Sequence, residues 1–248
     1  MKNSTKKSLY LWGGSFLALG LLVWGLARMS GGYNSGTFNA VPLDLTSAAE
    51  FEHVKGPMDA GVTIVEYSDF QCPYCKQAVP VVEQILAEYP DTVNLIYRHY
   101  PLRQAHAQTQ LAAEVSEAAG RQGKFWEMHD VLFANQEKWS GNLGARSIFE
   151  AYAEALELDV ALFKTDLQDR ALAEKVQHDY ESGNDAGVRG TPTFFINGVK
   201  LKVPSYAGFV EAINTELDRL EEVRESTINA GESGSNPETV GTDAPTAE

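Results

Sequence analysis

The sequence predicts an α/β domain in which a β-α-β unit and a later β-β-α unit are separated by a long helical block. Three observations carry this. Two β-branched runs, "VTIVEY" (62–67) and "TVNLIYRHY" (92–100), flank a stretch of helical period. Residues 103–187 read as helical throughout. Asn197-Gly198 stands between two apolar runs, the strongest short-range hairpin signal.

The elements follow in order. The run 62–67 reads as a buried strand. From Tyr74 to Tyr89, Ala78, Val82, Ile85, Leu86 and Tyr89 make a helical face, and Pro80 inside that helix should kink it. Residues 92–100 read as the second strand, parallel to the first. In the helical block, "QLAAEVSEAAG" stops at Gly120. "KFWEMHDVLF" places Phe125 or Trp126, His129, Leu132 and Phe133 on one side. "SIFEAYAEAL" opens with Ser147 and Glu150 at capping-box spacing, and two further helical segments follow up to residue 187. Strands 193–196 and 199–203 should pair antiparallel around Asn197-Gly198. A last amphipathic helix follows, with Ser205 as its N-cap.

Outside this domain the chain changes character. Ser8 to Ala27 carries no charge, and a helix of that length spans roughly 30 Å, the thickness of a bilayer core. Trp12 and Trp24 lie near its ends. Lys2, Lys6 and Lys7 precede it, which places the N-terminus in the cytoplasm and everything after Ala27 outside it. Residues 1–30 are therefore expected to be a transmembrane anchor. The competing reading is a signal segment cleaved after Gly25-Leu26-Ala27, and it exports the domain equally. Residues 31–47 read as a flexible spacer, 48–222 as the folded domain with an insertion at about 103–187, and 223–248 as a disordered acidic tail.

A hydrophobic content of 44% supports a real core. The net charge of −14 argues against nucleic-acid partners, which attract a basic surface. The only two cysteines, Cys72 and Cys75, sit in "FQCPYC" at the first strand-to-helix turn. A zinc site wants four ligands, and neither a second pair nor histidines at ligand spacing are present, so no metal is expected. Thiolates do suit Cu(I), which keeps a copper-binding module open as an alternative. A disulfide across so short a loop restrains little chain entropy. The third reading is redox chemistry. Cys72 at a helix N-terminus gains a stabilised thiolate, Pro73 suits the first helical turn, and Cys75 lies one turn on to resolve a mixed disulfide.

"FQCPYC", "GTPTFFING" (190–198) and the long helical insertion together resemble the thioredoxin-fold superfamily, and most closely its DsbA-like thiol–disulfide oxidoreductases. "YRHYPL" and "GKFWEMHDVLF" are similar to family segments, and the resemblance covers roughly Glu50 to Leu220. It implies Cys72 as nucleophile and Cys75 as resolving thiol. Pro73 and Tyr74 become the dipeptide that tunes the potential. Pro192 is implied to be a cis-proline facing the cysteines, with Thr191 offering its backbone to an extended substrate strand. Glu66 matches a buried acid, a proton relay to Cys75; its alternative reading is an acid at a strand edge. Asp69 and Lys76 read as solvated charges, His99 and His129 as packing or surface residues, and Trp126 and Phe125 as core.

No cofactor is expected. The implied activity is an extracytoplasmic disulfide oxidase that acts on reduced exported proteins and is regenerated by a quinone-coupled membrane partner. Pro-Tyr in place of Pro-His, a pair familiar in glutaredoxins, makes a reductase the alternative. An isomerase of this kind usually adds a dimerisation module, for which the spacer is too short.

Overall fold

A computed structural model describes residues 52–233, with side chains to residue 229. A five-stranded sheet lies at its centre, in the order β1-β3-β2-β4-β5. The elements are β1 (His53–Lys55), β2 (Val62–Ser68), α1 (Pro73–Glu88), β3 (Val93–His99), six helices, β4 (Thr193–Ile196), β5 (Val199–Lys200) and α8 (Tyr206–Ser233). The six helices are α2 (Thr109–Gly120), α3 (Phe125–Ala134), α4 (Gln136–Trp139), α5 (Ala145–Ala155), α6 (Val160–Asp166) and α7 (Arg170–Asp185). β2 and β3 are parallel, as the β-α-β reading requires, and the other pairs are antiparallel.

Alternation along β2 sorts its residues between two layers. Val62 and Ile64 pack with Val82, Ile85, Phe194, Phe209 and Ile213 beneath α1 and α8. Val65 and Tyr67 face the other way, against Tyr100, Val188 and Phe195, with Tyr180 of α7 over them. Each fully buried side chain of this size contributes roughly 1.5–3 kcal/mol. The third cluster is the inserted helical block itself, centred on Met128, Leu132, Trp139 and Phe149, and it reaches Phe70, Cys72, Cys75 and Tyr97. The insertion thus packs directly onto the cysteine turn.

Several expectations need correction. β1 was not foreseen; its three residues show no alternation, and it exists by antiparallel pairing with β3. β5 has two residues rather than five: Leu201 still donates to the Phe194 carbonyl at 2.8 Å, and the chain then leaves towards Pro204, which has no N–H to give. Ser147 is not an N-cap. The helix begins at Ala145, because Asn142 Oδ1 accepts from Gly144 N at 2.8 Å and starts the turn earlier, and Glu150 pairs with Lys164 instead. α8 runs to Ser233, past the boundary expected at 222. Residues 223–229 are exposed and held by local pairing such as Arg224–Glu221 at 2.9 Å. Other readings agree with the structure. Asn197 and Gly198 both have positive φ, 45° and 81°, as a two-residue hairpin turn needs. Ser205 Oγ accepts from Gly208 N at 3.2 Å. Among the described residues no helix is long and apolar enough to cross a membrane; the expected span at 8–27 lies outside them.

Candidate active site

Cys72 is the N-cap residue of α1, with extended backbone (φ −74°, ψ 123°), and Pro73 opens the helix. Cys75 falls in the first turn, fully buried, while Cys72 is 4% exposed. Both are free thiols. Between them Pro73 and Tyr74 stand on the surface, and Tyr74 is 68% exposed. Across the site the Thr191–Pro192 peptide is cis, and Cys72 Sγ lies 3.4 Å from the Thr191 carbonyl oxygen. The structure therefore brings Cys72, Cys75, Thr191 and Pro192 together from two ends of the domain.

The two thiols are driven apart. The pKa of Cys72 is lowered to about 5: the Cys75 thiol is the largest stabilising influence, burial opposes it, and the Thr191 side chain and the Cys75 and Tyr74 amides add to it. About 99% of such a thiol is ionised at pH 7. Cys75 goes the other way, pushed well above the ordinary range by burial, by Cys72 and by Glu66. One sulfur is thus a ready nucleophile and leaving group, and the other is a protonated thiol in reserve.

Glu66 is buried beneath α1, not at a strand edge. Burial raises its pKa to about 7, against a smaller opposing effect of Ser68. It acts electrostatically on Cys75, which places it in the site.

The turn that carries Cys72 is held by residues that motif reading missed. Asp69, expected as a solvated charge, is 2% exposed. Its carboxylate accepts from Gln71 N at 2.7 Å, Leu102 N at 2.9 Å and the Thr109 hydroxyl, and it pairs with His106 Nδ1 at 2.7 Å. Gln136 of α4 donates to the Phe70 and Cys72 carbonyls at 2.7 and 3.0 Å, tying the insertion to the nucleophile's backbone. Gln71 reaches Ser140 O at 2.7 Å. Serine-aspartate before a C-x-x-C is a weak sequence signal, and Gln136 carries none. Lys76 is half-buried and pairs with Glu137 at 2.6 Å. His99, His129 and Phe125 are buried and Trp126 is half-buried, all in one aromatic cluster around Tyr97.

Among the described residues, His99, Glu117 and Asp179 have ligand atoms close enough to hold a metal. Their donors are already engaged. Glu117 Oε1 is 2.9 Å from both His53 and His99 Nε2, and Asp179 takes Lys175 Nζ at 2.6 and 2.8 Å. The half-buried ammonium of Lys175 beside Asp179 repels a cation. This is a polar hydrogen-bonded network joining β1, β3, α2 and α7.

Similarity to known proteins agrees with this geometry. A family model described as thioredoxin matches residues 48–215. A segment of the Na(+)/H(+) antiporter NhaA 3 of Salinispora tropica is 45% identical over 158 residues, 64% of this chain. The match spans only 23% of that relative. The chain is similar to a thioredoxin-like oxidoreductase from Silicibacter pomeroyi (26% identity, TM-score 0.56, 69% of this chain and 92% of that one). It is also similar to Pseudomonas aeruginosa DsbA2 (27%, TM-score 0.55, 66% and 93%). The matched span takes in both halves of the sheet and the insertion between them, and by it the chain belongs to the thioredoxin family, in its DsbA-like form.

Proposed function

We propose that this protein introduces disulfides into reduced exported proteins by thiol–disulfide exchange at Cys72–Cys75, outside the cytoplasm and anchored through residues 1–30. The observation that carries it is the acidity of Cys72 beside a buried, protonated Cys75. A substrate thiolate attacks Cys72 Sγ, the Cys72–Cys75 bond breaks, and Cys75 leaves and takes up a proton. A second substrate thiolate then attacks the substrate sulfur of the mixed disulfide. The substrate disulfide forms and Cys72 leaves as a thiolate. The low pKa of Cys72 favours that last departure.

The magnitude supports oxidation over reduction. An ordinary thiol is protonated at pH 7, whereas one near 5 is ionised with about two pH units to spare. At about 1.4 kcal/mol per unit this stabilises the reduced form by about 3 kcal/mol, or about 60 mV towards the oxidising end. Pro192 and Thr191 would hold the extended substrate strand, and Pro73 and Tyr74 would contact it. A membrane partner coupled to quinone would reoxidise the pair. The setting at a membrane draws support from the relatives named as antiporters, whose matching segment is about a quarter of their length.

A reductase is the second reading, favoured by Tyr74, since no imidazole stands in the dipeptide to hold the Cys72 thiolate. The reduction potential of Cys72–Cys75, equilibrated against glutathione buffers, decides between them. A value near −120 mV is expected, and one near −270 mV overturns the oxidase in favour of the reductase. A non-catalytic copper module predicts tight Cu(I) binding and no oxidase or insulin-reduction turnover.

A further inference from the structure

Three polar groups beneath Cys75 stand out by what they lack. Glu66 Oε1, Ser68 Oγ and the Tyr97 hydroxyl are buried, and none completes a hydrogen bond of normal geometry. Native structures pair nearly all such atoms. Topology makes these three neighbours. Glu66 and Ser68 lie two residues apart on β2 and so share the face under α1. Tyr97 is the register partner of Glu66 on β3. Ser68 faces Glu66, Cys75 and Tyr97 closely enough to favour the ionised form of each. Local rules are broken mainly where function requires it. Apolar residues here would pack without unpaired atoms.

We propose that Ser68 and Tyr97 are positioning residues for a proton that passes between Glu66 and Cys75. The Tyr97 hydroxyl donates to the Glu66 carboxylate, and the Ser68 hydroxyl bridges the carboxyl group to Cys75 Sγ. The proposal rests on the exchange reading and extends it to the residues that steer the proton. When the Cys72–Cys75 bond breaks, Cys75 Sγ gains the electron pair and the Glu66 carboxyl gives it a proton, leaving a carboxylate. On reoxidation Cys75 returns the proton to Glu66 before its sulfur attacks.

The surroundings suit these roles. Burial holds the Tyr97 hydroxyl protonated, and Glu66 and Cys75 reinforce this, so Tyr97 keeps an O–H to donate to the carboxylate. Burial brings Glu66 to the neutral range. From α1 the titratable groups over Glu66 are Cys75 and, beyond it, Cys72; from β3 they are Tyr97 and then His99. β4 presents the uncharged Phe194 as register partner. Asp69, past the end of β2, acts on Tyr97. His129 of α3 lies edge-on to the Tyr97 ring at 5.2 Å and is held neutral by burial.

Tyr97→Phe tests this, because the ring stays packed against Phe70, His99, Phe125 and His129 at 5.2–5.6 Å. The measurement is the opening of the Cys72–Cys75 disulfide by reduced glutathione in the full-length protein, corrected for the glutathione thiolate fraction across pH. In the wild type the corrected rate should fall as pH rises through about 7, where Glu66 loses its proton. In Tyr97→Phe the midpoint should move up by about one pH unit, because the carboxylate has lost a donor. Ser68→Ala, a smaller change, should move it in the same direction. In a Glu66→Gln background neither substitution should have any further effect. Midpoints unchanged in both variants overturn the proposal. A wild-type rate flat through pH 7 overturns it too, yet leaves exchange at Cys72 standing. Failure of the disulfide to open or re-form under any condition removes the exchange reading and this proposal together.

Discussion

Cys72 and Cys75 are the same residue type three positions apart, and their surroundings drive their protons in opposite directions. The helix start places Cys72 where amides and the neighbouring thiol favour a thiolate, and the same turn buries Cys75 against Glu66. A lowered acid pKa stabilises the reduced site above that pKa, and the advantage is lost as pH falls through about 5. In the reduced protein Cys75 keeps its proton throughout this range. At equilibrium solvent restores the Glu66 proton, so reduction takes up two protons per two electrons below about pH 5 and one between there and the Glu66 pKa near 7. The potential should fall by about 59 mV per pH unit on the acid side and by about 30 mV per unit on the neutral side. A titration of the potential from pH 4 to 8 reads this directly. A single slope of about 59 mV through neutrality would mean that Cys72 is an ordinary thiol.

At the scale of elements, helix α7 shows how the insertion is fastened to the sheet. Tyr67 of β2 pairs with Ser182 at 3.0 Å, and Tyr100, just after β3, donates to Asn184 at 2.8 Å. Gly183 lies between these contacts. A Cβ there would come within 2.7 Å of the Tyr100 ring and 3.0 Å of the Tyr67 ring. Both rings are pinned by their hydroxyls, so neither swings aside cheaply. Alanine gains about 1 kcal/mol in helix propensity and loses more to overpacking, typically 1–3 kcal/mol. Gly183→Ala should destabilise the domain by up to about 2 kcal/mol in urea unfolding; a more stable variant would mean that the rings relax. The sequence made the element types legible here and not the contacts. A glycine late in a helical pattern looks like a helix stop, and only the approach of two tyrosines from distant strands gives it another purpose. β1 was illegible because its three residues become a strand only by pairing with β3. Cys72, Cys75 and Pro192 were legible because motifs hold them at characteristic spacing. Asp69 and Gln136 were not, since their roles depend on backbone groups brought to them by other elements.

For the whole molecule, the question is where the folded unit ends. Composition placed the boundary at residue 222, and the helix continues to Ser233. The two are reconciled by burial. Phe209 and Ile213 of α8 lie in the core beneath the sheet, with Leu217 and Leu220 packed against it. A Cβ added at Gly61 would come within 3.2 Å of Leu220, so the helix docks closely there. From Glu221 to Asn229 every residue is exposed, with Val223 and Ile228 more than half so. Exposed i,i+3 ion pairs such as Arg224–Glu221 contribute little, about 0.3–0.5 kcal/mol. These turns are helical by propagation from a docked start, and they add no burial of their own. Removal of residues 223–248 should therefore change the unfolding free energy by no more than about 0.5 kcal/mol. The rate of exchange with glutathione should not change, because the described residues 223–229 are all exposed and no described interaction ties them to the cysteine turn, the cis-proline loop or the insertion. Chemical denaturation of the truncated and full-length proteins, side by side, is the check. A loss above about 1 kcal/mol would show that the exposed turns of α8 have a packing partner, and Val223 and Ile228 would be the first residues to test for it.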